Sequence, residues 1–358
     1  MENKTIFISF SLANSSVSDY FVDLCIRLNS TFKVVIFSDS QKPESILLPE
    51  DIEVKYWPSK RPTKFKDGYF LYKNIAKYKP VLTISMFGSV NIFMLVGWFC
   101  NVQNRVACVR TLSSQFPQKK INVIRKSLVY KLATRIITNS EATKQDVIDN
   151  FGVDEKKIKV LPNSVKNYND TLPNIEIQTN KIVYVGRLHP SKGIDILIDA
   201  LSIIRDKKID IHLDIIGEGP IENKLKEQSA HLKLDNIIHF LGSKNKEDVL
   251  KAFKSSYCAV IPSNTEAFGY TVIEAMSVET CVIGANNTGI KEIIIPEQTG
   301  LLFETGNAED LANKLESIFR NKTWRNTLSK NGFDRFLNNY ETEYAVNRDF
   351  TFFKKMIE

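Results

Sequence analysis

The chain has 358 residues, 43% of them hydrophobic and 25% charged, with 15 Gly and 12 Pro. This ordinary globular composition excludes disordered, collagen-like and mucin-like chains. At roughly 100–200 residues per domain, the length predicts two domains, each able to hold its own core. The five cysteines (25, 100, 108, 258 and 281) form no C-x-x-C pair, which speaks against a disulfide framework or a zinc site. The first residues, MENKTIFISFSLANSS, carry an acidic Glu2 and only a short apolar run, so no signal peptide is expected and a cytoplasmic setting is. All four histidines (189, 212, 231 and 239) lie in the second half, which removes any histidine nucleophile or base from the first.

The net charge of +7 is unevenly spread. Residues 1–170 carry 25 Lys and Arg against 15 Asp and Glu, and the remainder 23 against 26. Basic clusters lie at Lys60, Arg61, Lys64, Lys66, Lys73, Lys77 and Lys79, and again at Lys119, Lys120, Arg125, Lys126, Lys131 and Arg135. A solvated surface is one reading. Attraction to an anionic membrane surface, worth about 1 kcal/mol per basic residue, is the sharper one. Nucleic acid is not expected as a partner, because no binding motif accompanies the charge.

Short apolar runs alternate with amphipathic stretches along the chain. Strands are predicted at 5–10, 33–38, 81–85, 105–109, 133–139 and 158–161, with helices such as 19–28 and 141–151 between them. Ser140 is placed as the N-cap of the latter helix. The uncharged stretch Val81–Asn104 reads as strand, glycine turn and apolar helix rather than a membrane span. The polar segment 163–180 reads as a linker. Beyond it the alternation resumes, with strands at 181–185, 211–216, 237–241, 259–262 and 280–284. Helices fall at 193–206, 221–232, 245–253, 270–278 and 308–321. The fold class is therefore α/β, with two doubly wound parallel sheets and a ligand cleft at the carboxyl ends of their strands.

Two constellations carry chemistry. Gly186-Arg187-Leu188-His189-Pro190-Ser191-Lys192-Gly193 follows a strand and opens a helix, placing two cations where a diphosphate fits. The alternative is a basic solvated turn, and His189 reads as a loop residue. Ser263–Met276 runs from a strand into a helix, with Glu266 in the loop and Glu274 a turn inside the helix. First-turn amides at Gly269, Tyr270 and Thr271 suit phosphate oxygens. Glu274 suits ribose hydroxyls and Glu266 those of a sugar.

GRLHPSKG, LDIIGEGP, HFLGS, EAFGYTVIEAM and TGIKEIIIPEQTGLLF, in this order, resemble glycosyltransferase family 4, together with ITNSEATKQDVI and IKVLPNSV further upstream. The family comprises retaining enzymes of the GT-B fold that use nucleotide-activated sugars. The resemblance is dense from about residue 130 to 320. It implies an acceptor-binding domain over 1–165, a nucleotide-sugar domain over 178–335, and a last helix within 336–358 that returns to the first domain. It also implies that Arg187 and Lys192, beside Gly186, bind the donor diphosphate. Glu274 would take the ribose, Glu266 the donor sugar, and Phe268, Gly269 and Tyr270 sugar and phosphate through their backbones. Ser243 and Lys244 would flank the nucleobase. Two departures concern the acceptor side. The first loop, Leu12–Ser16 with Asn14 and Ser15, lacks the common Gly-Gly pair, and Arg110 stands where many members carry histidine. An anionic group or a structural salt bridge would each account for Arg110.

The mechanism the resemblance implies is front-face attack, with the departing phosphate accepting the acceptor's proton. No D-x-D-like triplet marks a metal site, so turnover without a metal or other cofactor is expected. The expected function is transfer from a nucleotide-diphosphate sugar, UDP-linked, to a saccharide or lipid-linked acceptor in cell-surface polysaccharide synthesis, at the inner face of the membrane. The alternatives are another GT-B enzyme (an epimerase or a soluble sugar synthase) and a sugar-nucleotide-binding module without catalysis.

Overall fold

The computed structural model describes residues 4–115 and 120–358. Glu2, and Lys119 of the second basic cluster, lie outside the described residues. The chain divides into two units, one formed by residues 1–165 with Thr342–Glu358 and the other by Lys166–Glu341.

The first unit holds a seven-stranded parallel sheet. Its strands are β1 (Thr5–Ser9), β2 (Lys33–Ser38), β3 (Glu53–Tyr56), β4 (Leu82–Met86), β5 (Asn104–Val109), β6 (Arg135–Thr138) and β7 (Ile158–Val160), in the order β3-β2-β1-β4-β5-β6-β7. The inner strands are largely apolar because helices cover both faces. Side chains alternate across the sheet. Ile6, Ile8, Val34 and Ile36 meet the helices Ser16–Asn29 and Thr342–Ile357, whereas Phe7, Val35 and Phe37 meet helices on the opposite face.

The second unit holds six parallel strands: β8 (Gln178–Val185), β9 (His212–Ile216), β10 (Ile238–Phe240), β11 (Ser256–Ile261), β12 (Val282–Ala285) and β13 (Leu301–Phe303). Their order is β10-β9-β8-β11-β12-β13. Both units are Rossmann-like, as the alternation of patterns led us to expect. The uncharged stretch resolves into β4, a turn at Phe87–Ser89 and the helix Val90–Phe99. Ten residues rise about 15 Å, half the thickness of a bilayer core. Among the described residues no helix is long and apolar enough to cross a membrane.

The last helix is held by a buried charge. Asp349 is 2% exposed and accepts from Arg348 Nε at 2.6 Å and from the Tyr20 hydroxyl on the helix Ser16–Asn29. Burial, with the Asp349 charge beside it, holds the Tyr20 phenol well above its ordinary pKa, so it remains a donor. Removing a buried charged partner costs about 3–5 kcal/mol. Asp349→Ala should therefore lower the thermal midpoint markedly, and Tyr20→Phe by less, as followed by circular dichroism.

Two strands escaped the sequence reading, β3 and β13, both at sheet edges. β3 is anchored through Glu53, which pairs with Lys33 of β2 at 2.8 Å and Lys55 at 3.0 Å and accepts from the Tyr78 hydroxyl at 2.5 Å. These donors, Lys33 first, pull the Glu53 carboxyl down to about 2. A carboxyl depressed on folding adds stability above its unfolded pKa and loses it as pH falls towards the folded value. Glu53→Gln should thus be less stable than the parent at pH 7, with the difference shrinking as pH drops from about 5 towards 3 in urea titrations.

Candidate active site

In the second unit the sheet order reverses between β8 and β11. β8 leads to β9 on one side, and β11 to β12 on the other. Loops leaving the carboxyl ends of such neighbouring strands diverge and open a binding crevice. Both sequence constellations lie on these two loops, Gly186–Gly193 after β8 and Pro262–Gly269 after β11.

The loops touch through their backbones. Asn264 N donates to Ser191 O at 2.9 Å, and Asn264 Nδ2 to Pro190 O at 3.3 Å. The approach is closest at Gly193, which has φ +62°; a Cβ there would stand 2.1 Å from Pro262 O. Glycine alone tolerates both the left-handed backbone and the contact. Gly217, after β9, is equally confined, since a Cβ would fall 1.9 Å from Gly186 O. His189 takes the loop role expected of it, its Nδ1 accepting from Ser191 N at 3.2 Å.

This approach brings Lys192 and Glu266 together. Lys192 Nζ donates to Glu266 Oε2 at 2.6 Å, with both side chains about three-quarters covered. The ammonium has three donors and uses one here. Behind the pair, Tyr184 donates its hydroxyl to Arg187 O at 3.2 Å. Burial, reinforced by the Glu266 charge, raises the Tyr184 pKa far above its ordinary value, so the phenol stays protonated and pins the loop. The Arg187 side chain is exposed and makes no ion pair with a described residue.

The helix after the second loop is Tyr270–Met276, shorter than the expected 270–278, and Gly269 caps it at φ +115° with no side-chain cap. Phe268 is buried beneath the loop, its ring 5.7 Å from that of Tyr270. Thr271 stands in the first helical turn and Glu274 in the second, both half-buried. Gly186, at the end of β8, donates its N–H to Ile216 O at 3.0 Å. Ser243 and Lys244 are exposed in the loop after β10, and Ser243 N donates to Glu218 Oε1 at 3.3 Å.

Two supports went unassigned in the sequence. Glu218 ties the loop after β9 to the loop after β10, and Gly217 N donates to Gly242 O at 2.9 Å beside it. Thr288, after β12, donates its hydroxyl to Glu266 O at 3.0 Å, while Asn287 Nδ2 donates to Ser263 O. Their signal lay in the GEG and NNTG stretches, where a polar side chain sits beside glycines at a strand end.

The acceptor-side residues lie in the first unit. Ser15 caps the helix Ser16–Asn29 by accepting from Ser18 N at 3.2 Å, and Asn14 accepts from the Ser45 hydroxyl at 2.9 Å. Arg110, just beyond β5, donates to Asn163 Oδ1 and lies 5.0 Å over the Phe21 ring, with no ion pair to a described residue. Of the two accounts of Arg110, the salt bridge is therefore absent among the described residues. Nor do these contain three His, Cys, Asp or Glu side chains grouped to hold a metal.

Residues 17–166 match the model of Glycosyltransferase Family 4, and residues 172–335 that of Glycosyl transferases group 1. The chain belongs to glycosyltransferase family 4. An uncharacterized glycosyltransferase of Methanocaldococcus jannaschii is 32% identical over 215 residues, covering 59% of this chain and 58% of that protein. The capsular polysaccharide biosynthesis glycosyltransferase CapM of Staphylococcus aureus is 30% identical over 224 residues, 59% of each. The matches thus span about three-fifths of the length of these curated relatives. Anabaena HepE, solved in complex with UDP, aligns over 98% of this chain and all of its own with a TM-score of 0.82 at 17% identity. That likeness establishes the shared GT-B fold.

Gly193→Ala tests the construction of the site. The added methyl meets backbone rather than a movable side chain, and strain of this kind costs on the order of 1–3 kcal/mol. The variant should melt lower than the parent in a thermal-shift assay, and Gly217→Ala should behave alike.

Proposed function

We propose that the protein is a retaining glycosyltransferase that moves a sugar from a nucleotide-diphosphate donor, with UDP as the carrier, to a saccharide or lipid-linked saccharide acceptor in the synthesis of a surface polysaccharide. The second unit holds the donor and the first the acceptor, which is met at the inner face of the membrane. The observation that carries the reading is the Lys192–Glu266 pair at the sheet's point of reversal. UDP in the HepE complex and the capsular role of CapM support the donor and the product class.

In this reading Arg187 and Lys192 grip the diphosphate, and amides near Gly269, Tyr270 and Thr271 add donors. Glu274 accepts from ribose hydroxyls, Ser243 and Lys244 flank the base, and Glu266 accepts from a hydroxyl of the transferred sugar while steadying Lys192. The bond from the anomeric carbon to the phosphate oxygen breaks as the acceptor oxygen bonds on the same face. The acceptor's proton passes to the departing phosphate, so no protein base is needed. Charge growing on the diphosphate meets the Arg187 guanidinium and the Lys192 ammonium that Glu266 tethers, which is electrostatic catalysis. The same cations serve in place of a divalent metal, and we propose turnover without one. Arg110 meets an anionic group on the acceptor side, to which Asn14 and Ser15 are also assigned.

Losing one well-aimed donor costs about 3 kcal/mol, or roughly 100-fold in rate. Arg187→Ala and Lys192→Ala should each lose about that much kcat with an unchanged melting temperature. The assay pairs thermal shift against a panel of nucleotide sugars with transfer from the best donor, reading the product anomer by NMR. Near-parent turnover in both variants rejects the diphosphate assignment, an inverted product rejects retention, and donor conversion without acceptor indicates an epimerase.

A further inference from the structure

Three helices of the first unit, Phe65–Tyr78, Val90–Phe99 and Lys120–Lys131, lie side by side on one face of its sheet. Each turns an apolar edge inward, through Leu71 and Ile75, Phe93 and Met94, and Val129 and Tyr130. Each also presents a second apolar stripe outward. On the first helix Phe65 is 91% exposed, with Tyr69 and Tyr72 following at helical spacing. On the second, Trp98 and Phe99 are 55% and 70% exposed beside Leu95. On the third, Ile121, Ile124 and Leu128 are spaced three and four apart, all more than half exposed. Residues three and four apart share one helix face, so these are stripes rather than scattered single residues. The second unit exposes far less: among its described residues only Ile177 and Leu241 are large, apolar and exposed.

Charge says what covers the face. The first and third helices carry exposed Lys66, Lys73, Lys77, Lys120, Arg125 and Lys131, while Lys126 is half-buried over the Phe151 ring. Their single acid, Asp67, is wholly buried and accepts from Lys64 N at 2.9 Å. A surface with these cations, no exposed anion on its helices and aromatic side chains in between complements a sheet of negative charge over an apolar interior. Helices of that make-up lie in the interface plane, rings at headgroup depth and cations on the phosphates. We propose that this three-helix face docks on an anionic lipid bilayer. The proposal deepens the reading of a lipid-linked acceptor and rests on it for its purpose alone.

The test is co-sedimentation of the full chain with phosphatidylcholine vesicles, with and without phosphatidylglycerol, in the absence of any nucleotide sugar. Failure here therefore leaves the transferase reading standing. We expect binding only to the phosphatidylglycerol vesicles, weakening with salt, and a blue shift of tryptophan emission as Trp98 enters the interface. Each cation near such a surface is worth roughly fivefold in binding. Lys73→Glu with Arg125→Glu should cut the partition constant at least tenfold, and Trp98→Ser with Ile124→Ser should do the same without the shift. All these residues are exposed, so the melting temperatures should match the parent. No binding to phosphatidylglycerol vesicles, or equal binding by the variants, overturns the proposal. So does a parent dimer in sedimentation velocity that the Trp98 and Ile124 pair of substitutions abolishes, since a second copy would then cover the face.

Discussion

Everything in the candidate site depends on how closely two backbones approach where the second sheet reverses its order. β8 and β11 are adjacent parallel strands, with Val183 opposite Ala259, and their chains leave the sheet within contact of each other. Only glycine fits at the closest points, so the spacing of the loops is set by main chain and not by side chains that can shift. A rigid spacing of this kind lets a lysine from one loop and a glutamate from the other meet at hydrogen-bond distance without long, floppy linkers. Reactive groups held by neighbouring strand ends give positional accuracy that a single loop does not.

The pair itself is an electrostatic compromise. A partly exposed ion pair contributes little to stability, about 0–1 kcal/mol, so folding alone is a weak reason for it. Its effect is geometric. Glu266 accepts from one of the three N–H groups of the Lys192 ammonium, leaving two for other acceptors. With Lys192 neutralised by its partner, the unopposed charge on the β8 loop resides on Arg187. A dianionic ligand would then meet one free guanidinium and one tethered ammonium, with hydrogen-bond direction as well as charge to select it.

Much of this was legible because burial and glycine placement write themselves into sequence. Ile6–Ile8 and Val34–Phe37 are apolar on both faces, which only a covered parallel strand requires. Two of the four edge strands, β3 and β13, were lost for the converse reason. β3 reads Glu-Val-Lys-Tyr and is half-covered, and β13 is three residues long, so neither offers a run distinguishable from a loop. Lys192 and Glu266 were legible as separate motifs, 74 residues apart. Their direct pairing was not, because it follows from strand order, which sequence spacing does not encode. Glu218 and Thr288 were overlooked for the same reason: each acts on a loop that is remote in the chain.

The three basic helices show the limit from the other side. The sequence displayed their lysines plainly, as clusters from Lys60 to Lys79 and around Arg125, but an apolar residue in a helix looks the same whether it faces a sheet or solvent. Val90–Phe99 is apolar nearly all round, and such a helix is stable only when both sides find a non-aqueous neighbour. The sheet supplies one side, through Phe93 and Met94. Leu95, Trp98 and Phe99 are left in water, and the helices flanking them supply cations where the usual surface would mix both signs. A core-facing stripe is explained by folding; an outward stripe of equal strength, ringed by one sign of charge, needs a partner outside the fold. The physical demand for that partner is set by exposure and charge together, and neither alone would distinguish it from an ordinary solvated helix.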